Sequence, residues 1–87
     1  MADHYLKIWP EPFAAVLDGR KRFEVRRDDR GYAVGDVLHL REWVPDRGAY
    51  TGRVQTRTVS YIARGWGLPE MMCVMGLDDG PQEFSDG

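Results

Sequence analysis

Eighty-seven residues, of which 43% are hydrophobic, with three Trp, four Tyr and three Phe, give material for one core and not two. A single cysteine rules out an internal disulfide, and the net charge of −2 speaks against a uniformly basic nucleic-acid binder. That charge is unevenly spread. The last ten residues, DDGPQEFSDG, hold four acids and no base, which leaves residues 1–77 with twelve basic and ten acidic side chains. Within that part, Arg20, Lys21, Arg22, Arg26, Arg27 and Arg30 crowd into eleven positions.

HYLKI (4–8) alternates and predicts a short strand. WPEPFAAVLDG follows with the signature of one short helix: prolines open it, Gly19 closes it, and Phe13, Val16 and Leu17 form the stripe expected to be buried. From residue 21 the period changes to two. In KRFEVRR, Phe23 and Val25 are expected on the core side, with Arg22, Glu24 and Arg26 on the other. DDRGYAVGD is rich in turn residues, and Gly31 and Gly35 read as turn glycines, because GYAVGD lacks the lysine and hydroxyl of a phosphate loop.

DVLHLREW (36–43) predicts a second alternating strand, with Leu38 and Leu40 on one face and His39, Arg41 and Trp43 on the other. VPDRGAYTG fits a hairpin loop, and RVQTRTVSYIARG (53–65) resumes as a strand carrying five Thr, Val or Ile residues. GWGLPE breaks the pattern. MMCVMGL (71–77) reads as a buried closing strand, with Met71, Met72 and Met75 filling the core and Cys73 an inert thiol. The acidic tail, 78–87, has little to bury and is expected to be flexible.

Strand, helix, then four strands in about 77 residues predict an α+β, mostly β domain: a small curved sheet or barrel of about five strands, antiparallel through short loops, with the N-terminal helix plugging one end. The N-terminus has no export signal and no segment reaches the roughly 20 apolar residues of a membrane helix, so a cytoplasmic monomer is expected. Two histidines and one cysteine without chelating spacing predict no metal site, and no cofactor is implied.

Lys7, Lys21, Glu24 and Arg26 form the leading site constellation. Glu24 and Arg26 leave one face of a strand roughly 7 Å apart. In bulk water they would be a surface ion pair worth about 0 to 1 kcal/mol. In a cleft, Arg26 could grip a phosphate or carboxylate bidentately, Lys21 act as a mobile point charge, and Glu24 orient both, accept a base or ribose hydrogen bond, or serve as a general base. Arg22 would extend the positive track, His4 could shuttle a proton, and Trp66, set between glycines in a loop, offers a ring for stacking.

The succession H-x-L-K-I at 4–8, P-x-x-F-x-x-V-x-x-G-x-K-x-F-E-x-R at 10–26, D-R at 29–30, V-G-D-x-L-x-L-x-E at 34–42, Y-T-G-R at 50–53 and V-M-G at 74–76 resembles domain-of-unknown-function family 3850. That family of bacterial and phage proteins is catalogued in the ASCH group of PUA-like folds. The resemblance implies a PUA-like β-barrel with a cleft beside the first helix and an RNA or nucleotide-like anionic ligand. Some ASCH proteins look like small hydrolases, ribonucleases or nucleoside amidohydrolases, with a G-x-K-x-x-T segment. Gly19 and Lys21 match it, but Glu24 replaces the threonine, and a carboxylate cannot stand in for a hydroxyl nucleophile. If the chain is an enzyme, Lys21, Glu24 and His4 are the expected catalytic groups. A phage-type protein-interaction module is a third possibility.

Overall fold

The computed structural model describes residues 1–80. Strand β1 (Asp3–Ile8) leads into helix α1 (Pro10–Leu17), followed by β2 (Phe23–Arg27), β3 (Val37–Val44), β4 (Ala49–Ala63) and β5 (Met72–Asp79). The strands form one sheet in the order β1-β3-β4-β5-β2, curled into a half-barrel with helix α1 against it. The mostly β, five-strand curved sheet expected from the sequence is the architecture found.

One pairing departs from the antiparallel expectation: β1 lies parallel to β3, with Leu6 opposite Leu40. Parallel neighbours need a long connection, and residues 9–36, which include α1 and β2, supply it by crossing to the far edge of the sheet and back. The β3–β4 hairpin turns at Pro45–Gly48, with Arg47 N–H donating to Val44 O and Gly48 N–H to Pro45 O. Strand β5 extends through Asp78 and Asp79, opposite Thr58 and Arg57, so two residues expected in the tail belong to the sheet. Residues 81–87 of that tail lie outside the described residues.

Side chains of alternate residues converge on the concave face. Leu6, Leu38, Leu40, Val59, Cys73, Met75 and Leu77 make the core there, capped by Phe13 and Val16 from α1. The helix begins with prolines in the first turn, where their missing N–H groups cost nothing, and ends at Gly19, whose φ of +85° suits only glycine without strain. Leu17, expected in the buried stripe, is 56% exposed, and of the eight-residue helix only Phe13 and Val16 are buried. Gln55 Nε2 donates to Phe13 O at 2.9 Å and holds the helix on β4.

The half-barrel is open between β1 and β2, the two edge strands. Arginines bridge the gap: Arg26 Nη2 donates to Lys7 O at 2.8 Å and Arg30 Nη1 to Tyr5 O at 3.3 Å. These contacts occupy edge carbonyls that would otherwise invite another strand.

Candidate functional site at the open seam

The reading of β2 must be inverted. Phe23 and Val25, expected in the core, are 45% and 47% exposed, while Glu24 is 3% exposed and faces the concave side with Arg26. Period-two alternation fixes which residues share a face but not which face is inside. Here the inner face of an edge strand meets a seam instead of the apolar heart, and a carboxylate can be buried there because two cations accompany it.

The positions follow from local structure. Lys21 N–H donates to Ala15 O at 2.9 Å, so the chain leaving α1 is pinned to the helix before it enters β2. Lys21 Nζ then contacts Glu24 Oε1 and donates to Phe23 O at 2.7 Å. On the other side, Arg26 Nε donates to Glu24 Oε2 at 2.8 Å. The side chains of Lys21, Glu24 and Arg26 are 19%, 4% and 24% exposed, a half-hidden ion triplet with one positive charge in excess. Charge-assisted hydrogen bonds of this kind are stronger than neutral ones, and Arg26 keeps further guanidinium N–H groups for a ligand after bonding Glu24 and Lys7 O.

Beside this triplet lies a cavity of about 340 Å³, lined by Lys7, Ile8, Trp9, Pro12, Lys21, Glu24, Val25 and Arg26. Its walls are mainly apolar, with the polar groups gathered on the β2 side. That combination suits a flat organic ring carrying a negative group. A second cavity, of about 260 Å³, sits at the C-terminal end of α1 and shares Lys21 with the first. Arg22 and Arg57 line it together with Asp18, Asp78 and Asp79, so its charges balance.

The structure brings Lys21, Glu24 and Arg26 together, and Lys7 joins them in an unexpected way. The Lys7 carbonyl bonds Arg26, whereas its ammonium lies 3.9 Å from the centre of the Trp43 ring on the outer face. Arg22 belongs to the second cavity, its Nε reaching Gly19 O at 3.4 Å. Trp66 is 90% exposed in a turn and lines none of these cavities. His4 stands apart too: its Nε2 is 2.8 Å from Asp36 Oδ2 and its ring meets Tyr32 edge-on at 4.7 Å. Its ring is buried between these two partners. Met71 is 58% exposed and only Met75 of the three methionines is fully buried.

Residues 3–77 match the model of a family described as a domain of unknown function, DUF3850. The chain belongs to this family. It is similar to an uncharacterized 12.9 kDa protein encoded in the GpA 3′ region of Escherichia phage P2, 48% identical over 50 residues. Those residues cover 58% of this chain and 44% of the phage protein, so the chain aligns with less than half of that relative's length.

In this DUF3850 chain the polar residues that sequence reasoning passed over are Asp36, Glu42 and Gln55, all buried on the concave side. Asp36 accepts from Ala2 N–H and Ala33 N–H, each at 3.0 Å, besides its contact with His4. Burial pushes its carboxyl up, but the hydrogen bonds from His4, Ala2 and Ala33 outweigh that and hold it below the ordinary value. Glu42 accepts from Thr51 Oγ1 at 2.8 Å. The signal for Asp36 was present, since an aspartate that closes a glycine turn directly before a strand commonly bonds the turn's own N–H groups. The alternation of β3 also marks Glu42 as inward, because it shares parity with Leu38 and Leu40. Among the described residues no group of three His, Cys, Asp or Glu side chains is placed to hold a metal ion, and no helix is long and apolar enough to cross a membrane.

Proposed function

We propose that the chain binds RNA or a nucleotide-like anionic ligand in the seam cleft. The observation that carries the reading is the pairing of an apolar-walled cavity with the Lys21–Glu24–Arg26 triplet. A base would lie against Trp9, Pro12 and Val25. Its phosphate would meet the free donors of Arg26 and Lys21, while Glu24 holds both cations in place and accepts from base or ribose. Trp9 is 57% exposed, which leaves its ring available for this contact. The same reading makes the domain a member of the ASCH group of PUA-like folds, working as a monomer in the cytoplasm of a bacterium or during phage growth. The five-strand half-barrel is compatible with a PUA-like curved sheet.

A second reading, a small hydrolase, draws on the direct contact between Lys21 and Glu24, which links a proton donor to a base. Incubation with RNA and with acylated nucleosides separates the two. Turnover lost in both Lys21→Ala and Glu24→Gln makes the chain an enzyme. Binding without turnover leaves it a binding domain. Location is tested by backbone NMR shifts on adding nucleoside monophosphates: changes should centre on Ile8, Trp9, Val25 and Arg26, and changes confined to other surfaces would remove the cleft from consideration.

A further inference from the structure

The outer face of the sheet next to the cleft carries rings and cations in alternation. Tyr5 stands in register with His39, Lys7 with Arg41, and Trp43 with Tyr50 of β4. The Tyr5 and His39 rings stack at 4.5 Å with planes 11° apart. Lys7 Nζ lies 3.9 Å from the Trp43 ring centre, and Arg41 Cζ lies at the same distance from that of Tyr50. Tyr5 is 59% and Tyr50 43% exposed. On this face of β1 and β3 the carboxylate present is Asp3, whose Oδ1 is 2.9 Å from His39 Nε2.

Two features separate this face from an ordinary solvated sheet surface. Its cations rest on rings, so they are already ordered and lose little further freedom when a ligand arrives. It is also continuous with the cleft, because Lys7 borders the cavity while its ammonium covers Trp43 on the outside. A polymer held in the cleft and leaving across edge strand β1 would run onto these residues.

We propose that this face carries the nucleotides flanking the one held in the cleft, an inference that rests on the cleft's being a nucleotide site. The exposed rings of Tyr5 and Tyr50 take bases, and Lys7 and Arg41 take phosphates. Interleaved π-faces and positive charges match the alternation of base and phosphate along a single strand, as in other sequence-tolerant single-strand grooves. The scarcity of carboxylates on the face suits a polyanion better than a peptide of mixed charge.

The test compares the four nucleoside monophosphates with a random-sequence RNA of about eight nucleotides, a length within the range that one small β-domain covers. Wild-type protein should bind the longer RNA at least about tenfold more tightly than the best monophosphate, as one or two stacked bases would give. The double variant Tyr5→Ser, Arg41→Ala should lose most of that gain and keep its affinity for the monophosphate. Arg41→Glu alone should do the same through charge, and an unchanged melting temperature for each variant shows that the fold is intact. Monophosphate binding with no gain from length, or a gain that survives in both variants, overturns the inference and leaves the cleft reading standing. A face that captures a protein and does nothing for RNA overturns it equally. If neither monophosphate nor RNA binds, the cleft reading and this inference fall together.

Discussion

Among the described residues three carboxylates are buried, Glu24, Asp36 and Glu42, and the first two differ in everything but burial. Asp36 accepts from two backbone N–H groups and from His4, all fixed by the start of β1 and the turn before β3. Glu24 is held by two long side chains from its own segment and faces a cavity. Short, rigid donors make a staple, whereas extended cations with donors to spare make a surface that can receive something. Burial of a charge therefore does not identify a site; the kind of partner and the presence of open space beside it do.

Breaking the staple should have the largest effect. Asp36→Ala leaves two N–H groups and a histidine without their acceptor and should cost about 3 kcal/mol of unfolding free energy in urea melts. Because the Asp36 carboxyl sits below its ordinary value when folded, its contribution is complete above about pH 4, the value in an unfolded chain, and fades as pH falls through the lower folded value. Asp36→Asn should accordingly flatten the acid side of the stability profile. A profile that keeps the wild-type steepness would show that other carboxylates govern acid unfolding.

Disturbing the Glu24 region should separate stability from binding. Arg26→Ala removes one partner of a half-hidden pair and should cost about 1 kcal/mol of stability, yet weaken a nucleotide ligand by about tenfold or more through the lost guanidinium contact. Equal small effects on both would reduce the triplet to a second staple. The smallest change is expected at Trp66, which holds a left-handed φ of +53° in an exposed turn. Trp66→Gly relieves that strain and should raise stability by up to about 1 kcal/mol, with nucleotide binding unaltered. Weakened binding there would bring the ring back into the site.

Much of this was legible in the sequence, and the exceptions share a cause. Helix α1 and the β3–β4 hairpin follow from their prolines and glycines, and Leu38 and Leu40 face inward because β3 is an interior strand in which they alternate with polar residues. The pairing of β1 with β3 and the inward face of β2 do not follow from local pattern, because both depend on which edge of the sheet a segment reaches after a long connection. Of the expected constellation Lys7, Lys21, Glu24 and Arg26, the last three meet through their side chains, Glu24 and Arg26 by the two-residue strand spacing, whereas the Lys7 ammonium turns to Trp43 on the outer face. The burial of these three was not readable: it depends on β2 reaching the sheet edge that curls round to face β1. His4, expected beside the site as a proton shuttle, bonds Asp36, 32 residues away, a pairing that no local pattern signals.

The most direct test of the seam cleft as an anion-binding nucleotide site is the salt dependence of single-stranded RNA binding by wild-type protein and Arg26→Ala. Affinity should fall as salt rises, and the logarithmic slope should be shallower in the variant by about 0.7 for the one phosphate contact removed. Absence of binding, or two lines of the same slope and height, would contradict it.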